Sequence, residues 1–265
     1  MPKRPPQDVN AHIQQRFGQA AASYRKSKVH AAGPDLDRMV EIASPSYKER
    51  VLDAGCGAGH TALAFAKQAR LVFACDFTRA MLSQTELLAR DAGLDNLVTQ
   101  LANVENLPFQ DNSFDLVVTR YSAHHWRRPE RALAEFRRLL TEDGALLISD
   151  IMAREEYAQD TFLQTIELLR DPSHVRDFRA SEWRDMLAKA RFDAEVVMTF
   201  DLSLRFDAWT RRMNTPARNA DMIRSLFNGA SADIKRAFRL PPEVKGDDFE
   251  FVIPGAVIRA TPYSR

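Results

Sequence analysis

Cysteine is scarce: Cys56 and Cys75 are the only two in 265 residues. Two thiols cannot build a disulfide framework, and no metal-ligand spacing surrounds them, so a reduced, cytoplasmic protein without a resident metal is expected. Long hydrophobic runs are missing too. Nothing approaches about eighteen consecutive apolar residues, and the basic start MPKRPPQDVN is followed by no apolar stretch. Neither a membrane-spanning segment nor a secretory leader is expected. No sign of charge prevails: 37 Lys and Arg stand against 36 Asp and Glu, a net charge of +1. That balance speaks against a general binder of nucleic-acid backbones. The first fifty residues are mildly basic, and their cluster Arg25-Lys26-Ser27-Lys28 either faces an anionic ligand or forms a solvated helix face. There is no internal repeat, and 45% hydrophobic with 28% charged residues is ordinary globular composition, which excludes a disordered chain.

Short apolar runs alternate with longer helical patterns. Arg50–Ala54, Leu71–Asp76, Val98–Ala102, Phe114–Thr119 and Gly144–Asp150 read as strands. Helices are expected at about 61–69, 78–92 and 129–140. Continuous apolar strands between helices predict an α/β fold with a doubly wound, mostly parallel sheet, its ligands at the carboxyl ends of the strands. Two further strands, Ala194–Phe200 and Phe249–Ala260 (interrupted at Pro254-Gly255), complete a seven-stranded sheet. Helical insertions are expected at about 155–180 and 206–242, the second broken at Thr215-Pro216 and Asn228-Gly229 and ended by Pro241-Pro242. Residues 1–45 read as an N-terminal helical lid on a main domain of residues 46–265.

The segment Asp53-Ala54-Gly55-Cys56-Gly57-Ala58-Gly59 leaves a strand and enters a helix. Glycine there lets the backbone approach a ligand that a Cβ would obstruct. Asp76, ending the next strand, is placed to accept hydrogen bonds from both hydroxyls of a ribose. The dinucleotide fingerprint G-x-G-x-x-G needs glycine at position 60, where this chain has His60, and Gly59 comes one residue early. Asp53 adds negative charge that disfavours a pyrophosphate and suits a cationic amino-acid group. The pattern therefore favours S-adenosylmethionine over a nicotinamide dinucleotide.

These residues resemble a known family. Val51–His60 is similar to motif I of the class I S-adenosylmethionine-dependent methyltransferases, and Asp76–Leu82 to their acidic loop after the second strand. Ala102–Phe109 with Ser113-Phe114-Asp115, and Glu135–Leu140 with Asp143-Gly144, resemble the later signatures. The branch it resembles most is the small-molecule group related to the ubiquinone/menaquinone-biosynthesis C-methyltransferases. The resemblance implies a Rossmann-like methyltransferase fold and S-adenosylmethionine as cofactor. It also implies that Asp53 and the Gly55-Cys56-Gly57 backbone hold the methionine end, and that Asp76 holds the ribose. Phe77, Thr78 and Met81 would flank ribose and adenine, Asn103 and Val104 would meet the adenine edge, and the Arg120 carbonyl would face the amino group. It further implies that Tyr24, in the lid, lies over the sulfonium end as a cofactor contact or substrate-orienting hydroxyl.

Methyl transfer asks the protein mainly for alignment, plus a base where the acceptor must lose a proton. His124 and His125, in Tyr121-Ser122-Ala123-His124-His125-Trp126 after the fourth strand, are the candidate bases, with His125 preferred. Quinone C-methyltransferases differ at this stretch. His174 and Arg176 are candidates for an anionic substrate group, and Ser181 reads as a helix N-cap. Trp183, Phe206, Trp209 and Phe227 either line an acceptor pocket or fill the core. A small-molecule acceptor is expected; an RNA or protein methyltransferase and a catalytically silent S-adenosylmethionine-binding regulator are the alternatives. Monomer and homodimer both stay open.

Overall fold

A computed structural model describes residues 14, 18, 21, 25, 31–241, 243 and 248–263. The elements run α1 (Pro34–Ala43), β1 (Arg50–Ala54), α2 (His60–Ala66), β2 (Leu71–Asp76), α3 (Arg79–Asp91), β3 (Leu97–Leu101) and β4 (Phe114–Arg120). A single 3₁₀ turn, Ala123–His125, precedes α4 (Pro129–Leu139), β5 (Leu140–Ile151), α5 (Tyr157–Arg170) and α6 (Ala180–Lys189). The chain ends in β6 (Phe192–Arg205), α7 (Phe206–Arg212), α8 (Ala217–Gly229), α9 (Ala232–Ala237) and β7 (Glu250–Pro262).

The seven strands are ordered β3-β2-β1-β4-β5-β7-β6. β1 to β5 pair in parallel, whereas β7 lies antiparallel between β5 and β6. The expected doubly wound sheet is therefore present, with its order reversing between β1 and β4. Loops after these two neighbours diverge, and the divergence opens a crevice at their carboxyl ends. The strands are apolar because helices cover both faces: Val51, Leu52, Val117, Leu146 and Leu147 are all fully buried.

Three boundaries differ from expectation for physical reasons. β5 starts at Leu140, not Gly144, because Leu140 pairs with Phe114 ahead of an irregularity and the ladder resumes at Leu116 with Ala145. Pro254 does not interrupt β7. Its carbonyl accepts from Met152 N, so its missing N–H points toward β5 just where that strand ends, and no ladder bond is lost. Ser181 is not the N-cap of α6. Arg179 stands there, its N–H donating to the Glu182 carboxylate (2.9 Å), while Ser181 Oγ donates to Glu155 (2.7 Å).

β6 and β7 outrun the sheet. Residues 250–254 of β7 pair only with 201–205 of β6, forming a two-stranded ribbon beyond the carboxyl end of β5. This ribbon carries α7 to α9, with Phe206 stacked on Phe249 (centroids 4.9 Å apart) and Phe227 edge-on to Phe249 at 5.4 Å. Phe206, Trp209 and Phe227 are buried in this cap's own core, and Trp183 in the core under α4 and α6. Of the four aromatic pocket candidates, Trp209 borders the cavity beneath the ribbon.

Candidate active site

The crevice is built first by the glycine turn. Gly55 (φ +75°) lies so near Ser122 that a Cβ would meet its Oγ at 2.1 Å, and the Gly55 and Cys56 amides both donate to the Cys75 carbonyl at 2.8 Å. Gly57 (φ +52°) instead faces open space, with nothing within 4 Å of where a Cβ would be. The turn is thus clamped at one glycine and leaves a cradle at another. Asp76 finishes the clamp: its Oδ2 accepts from Gly57 N (3.0 Å) and its Oδ1 from Thr78 N (2.7 Å). Burial pushes the Asp76 carboxyl up to about 6, against the pull of these amides.

The turn opens into a cleft. Gly55, Cys56, Gly57, Asp76, Phe77, Thr78, Met81, Asn103, Val104 and Arg120 all line it. Asp53 does not: it is buried two residues before Gly55. Neither of its oxygens accepts a well-formed hydrogen bond among the described residues, and burial pushes its carboxyl up to about 7. The Arg120 side chain forms a buried ion pair, its Nε 2.5 Å and Nη2 3.0 Å from Asp35, which also accepts from Ser149 Oγ (2.9 Å). Its guanidinium lies 4.6 Å from the ring centre of Tyr121, a residue held at φ +51°.

Behind Tyr121 the cleft meets a second cavity; Tyr121 and His125 border both. Its apolar wall is the ribbon (Leu202, Leu204, Ile253), and its polar wall is the end of α5 and the loop after it. Both histidines line this second cavity, ring centres 4.3 Å apart, and His125 alone of the two also borders the cleft. His124 Nδ1 donates to Asp150 Oδ1 at 2.7 Å. Asp150 also accepts from Ile151 N (2.8 Å) on Oδ1 and from Ser122 N (3.1 Å) and Ala123 N (2.7 Å) on Oδ2. Burial alone would lower His124 and raise Asp150, but the pair outweighs it: His124 rises to about 9, and Asp150 falls below the usual carboxylate range. His125 is the opposite. Burial and then the charge of His124 push it down to about 3, and its Nδ1 donates to the Ser173 carbonyl at 3.1 Å.

Donor atoms of His124, Asp150 and Asp177 lie within 4.8 Å of one another, a spacing a cation could bridge. Four donors already fill the lone pairs of Asp150, so the cluster is organised for holding a proton on His124.

Comparison with known proteins agrees with this architecture. A family model described as a methyltransferase domain matches residues 52–148. The methyltransferase YcgJ of Bacillus subtilis is 35% identical over 243 residues, which span 92% of this chain and 96% of YcgJ. The chain belongs to the class I S-adenosylmethionine-dependent methyltransferases. The crystal structure of YcgJ matches this methyltransferase with a TM-score of 0.84 and 33% identity, over 87% of this chain and 99% of that one. The ubiquinone/menaquinone biosynthesis C-methyltransferase UbiE of Paraburkholderia phymatum is 37% identical over 197 residues, covering 72% of this chain and 73% of UbiE.

The fold thus gathers around one crevice every candidate cofactor residue that is described except Asp53, which stands just beneath. Tyr24 lies outside the described residues. Nearby, Gln14 Nε2 donates to the Phe77 carbonyl (2.8 Å), and Ala21 packs on Ala58 and Met81. Arg176 is no anion site: it is engaged by Asp160 (2.7 Å) and Glu182 (3.0 Å). His174 is buried, bonded to Gln164 (2.9 Å) and pushed down to about 3 by burial. Sequence reasoning missed Asp35, Asp150, Asp171, Ser173 and Asp177. Asp150 had a signal, an acid at the carboxyl end of a strand in a doubly wound sheet. The others act through contacts that no local pattern carries.

Proposed function

We propose that this methyltransferase uses S-adenosylmethionine in the glycine-turn cleft and methylates a small-molecule acceptor bound in the cavity beneath the cap. The single observation that carries this reading is the join of the two cavities at Tyr121 and His125. The residues present fit the cofactor: Gly57 offers an open cradle, Asp76 a ribose acceptor, and Asp53 an unsatisfied buried carboxylate near the methionine end. Asn103 and Val104 would meet the adenine, Phe77, Thr78 and Met81 would flank it, and the Arg120 backbone would face the amino group. Residues 1–45 would cover the site, Tyr24 included.

Bound S-adenosylmethionine supplies an electrophilic methyl group, which leaves the protein three tasks: alignment, exclusion of water and proton removal. The ribbon supplies the apolar wall of the inner cavity. Between the histidines, His124 is held protonated by Asp150, which leaves His125, neutral near pH 7 and pushed down to about 3 by burial, as the candidate weak base. The UbiE relative, named for quinone biosynthesis, supports a small-molecule acceptor.

The test is calorimetric titration with S-adenosylhomocysteine, with NAD as control. Binding of S-adenosylhomocysteine alone is expected; binding of NAD, or of neither, would overturn the cofactor assignment. Transfer of labelled methyl to small metabolites, and not to RNA or protein, then tests the acceptor class.

A further inference from the structure

We propose that Arg120 is a positioning residue whose buried bond to Asp35 ties the N-terminal cover of the cofactor cleft to Tyr121, the residue between the two cavities. Arg120 ends β4 at the switch point of the sheet, and its guanidinium reaches across to the first turn of α1. Nε and Nη2 donate to the two oxygens of Asp35 at 2.5 and 3.0 Å, and both side chains are 3% exposed. Asp35 Oδ2 also accepts from Ser149 Oγ of β5 at 2.9 Å, so one carboxylate joins α1, β4 and β5. Gly33, just before α1, closes over this pair: a Cβ there would lie 2.5 Å from Asp35 Oδ1 and 3.3 Å from Arg120 Nη2. The backbone is extended at Gly33, so this contact, and not a dihedral angle, asks for glycine.

The pair faces a functional element on each side. Ahead of Gly33 the chain touches the elements that build the cofactor cleft: Gln14 Nε2 donates to the Phe77 carbonyl at 2.8 Å, Ala21 packs on Ala58 and Met81, and Arg25 pairs with Asp91. Among the described residues, Asp35 is the first buried charge the chain reaches after these contacts. On the other side the guanidinium lies 4.6 Å from the ring centre of Tyr121. Tyr121 stands at φ +51°, a left-handed conformation that a bulky residue adopts at a cost, and its amide donates to the Ser149 carbonyl at 2.9 Å. Ser149 therefore supports both ends of the strap, with Oγ at Asp35 and its carbonyl at Tyr121. Stability alone does not call for charge here, since apolar residues of similar volume commonly replace a buried ion pair. What they do not supply is the planar fork that fixes the carboxylate of α1 and the ring of Tyr121 relative to each other.

The test is limited trypsin digestion of the full chain without ligand, alongside urea denaturation and titration with S-adenosylhomocysteine. The paired variant Asp35→Ala with Arg120→Met removes both charges, and Arg120→Lys keeps the charge without the fork. Both should be cut after Arg25, Lys26 or Lys28 about tenfold faster than wild type, while sites in the rest of the chain stay as protected as before. Both should also bind S-adenosylhomocysteine about tenfold more weakly. Cutting that speeds up evenly along the chain would show a merely structural pair and overturn the proposal, as would wild-type cutting and affinity in a folded variant. Should the paired variant fail to fold, Arg120→Lys decides. The digestion is independent of the cofactor reading on which the titration rests: wild type that binds no S-adenosylhomocysteine would overturn that reading, while the cutting pattern still judges the strap.

Discussion

Raising the pH from 7 to 9 should cost this methyltransferase about 2 kcal/mol of stability, most of it through one side chain. His124 is raised from 6.5 to about 9 by its buried bond to Asp150. At about 1.4 kcal/mol per pH unit, that rise corresponds to about 3 kcal/mol of preference for the protonated form in the folded state. Because the folded value lies above the unfolded one, the contribution is full below about pH 6.5 and is lost as the pH climbs through about 9. Few other groups interfere in this window. Asp53 and Asp76, raised to about 7 and about 6, lose their contributions at lower pH, and His125 and His174, lowered to about 3, act on the acid side. Burial raises Cys56, Cys75 and Tyr121, which matter only near pH 9 and above. Urea denaturation at a series of pH values, on wild type and on His124→Gln, reads the effect directly. The wild type should lose stability steadily across the window while the variant, less stable near pH 7, stays nearly flat. Parallel slopes in the two proteins would refute the assignment of the charge to His124.

Asp76→Asn should weaken S-adenosylhomocysteine binding about 10- to 100-fold, since an amide can accept from only one of Gly57 N and Thr78 N; in wild type the affinity should fall as the pH drops through about 6, and calorimetry reads both. Gly57→Ala should abolish cofactor binding and, through strain at its left-handed φ of about +52°, lower the melting temperature a little, whereas Gly55→Ala, which also drives a Cβ to 2.1 Å from Ser122 Oγ, should lower it much more. Asp35→Ala should cost about 3–5 kcal/mol in chemical denaturation by stranding the buried Arg120 guanidinium, and Arg120→Met in the same background should recover much of it.

What could be read from the sequence is what short stretches determine. The parallel strands are buried on both faces, so each declares itself as an apolar run, and the glycine turn with Asp76 is a local device whose partners lie within two adjoining units. The histidine pair was legible as chemistry but not as roles. Which imidazole is charged depends on Asp150 and on the Ser173 carbonyl, 26 and 48 residues along the chain. Arg176 failed as an anion site for a related reason: its neutralising partner Asp160 comes from the helix before it and Glu182 from the helix after. Pro254 misled because a proline reads as a strand break unless the end of its neighbour β5 is known.

The ribbon explains why cofactor and acceptor chemistry separate so cleanly in this chain. β6 and β7 continue past the end of β5, so α7 to α9 hang on two strands of their own and close over a core distinct from the cores on the two faces of the sheet. The cofactor cleft draws its walls from the ends of β1 to β4 and the loops after them, while the cavity proposed for the acceptor draws its apolar wall from the ribbon. Substitutions at Leu202, Leu204 or Ile253 therefore reshape the acceptor cavity without touching Asp76 or the glycine turn. Only Tyr121 and His125 belong to both cavities. On the proposed reading a change at either position should alter cofactor and acceptor binding together, while the ribbon decides what enters.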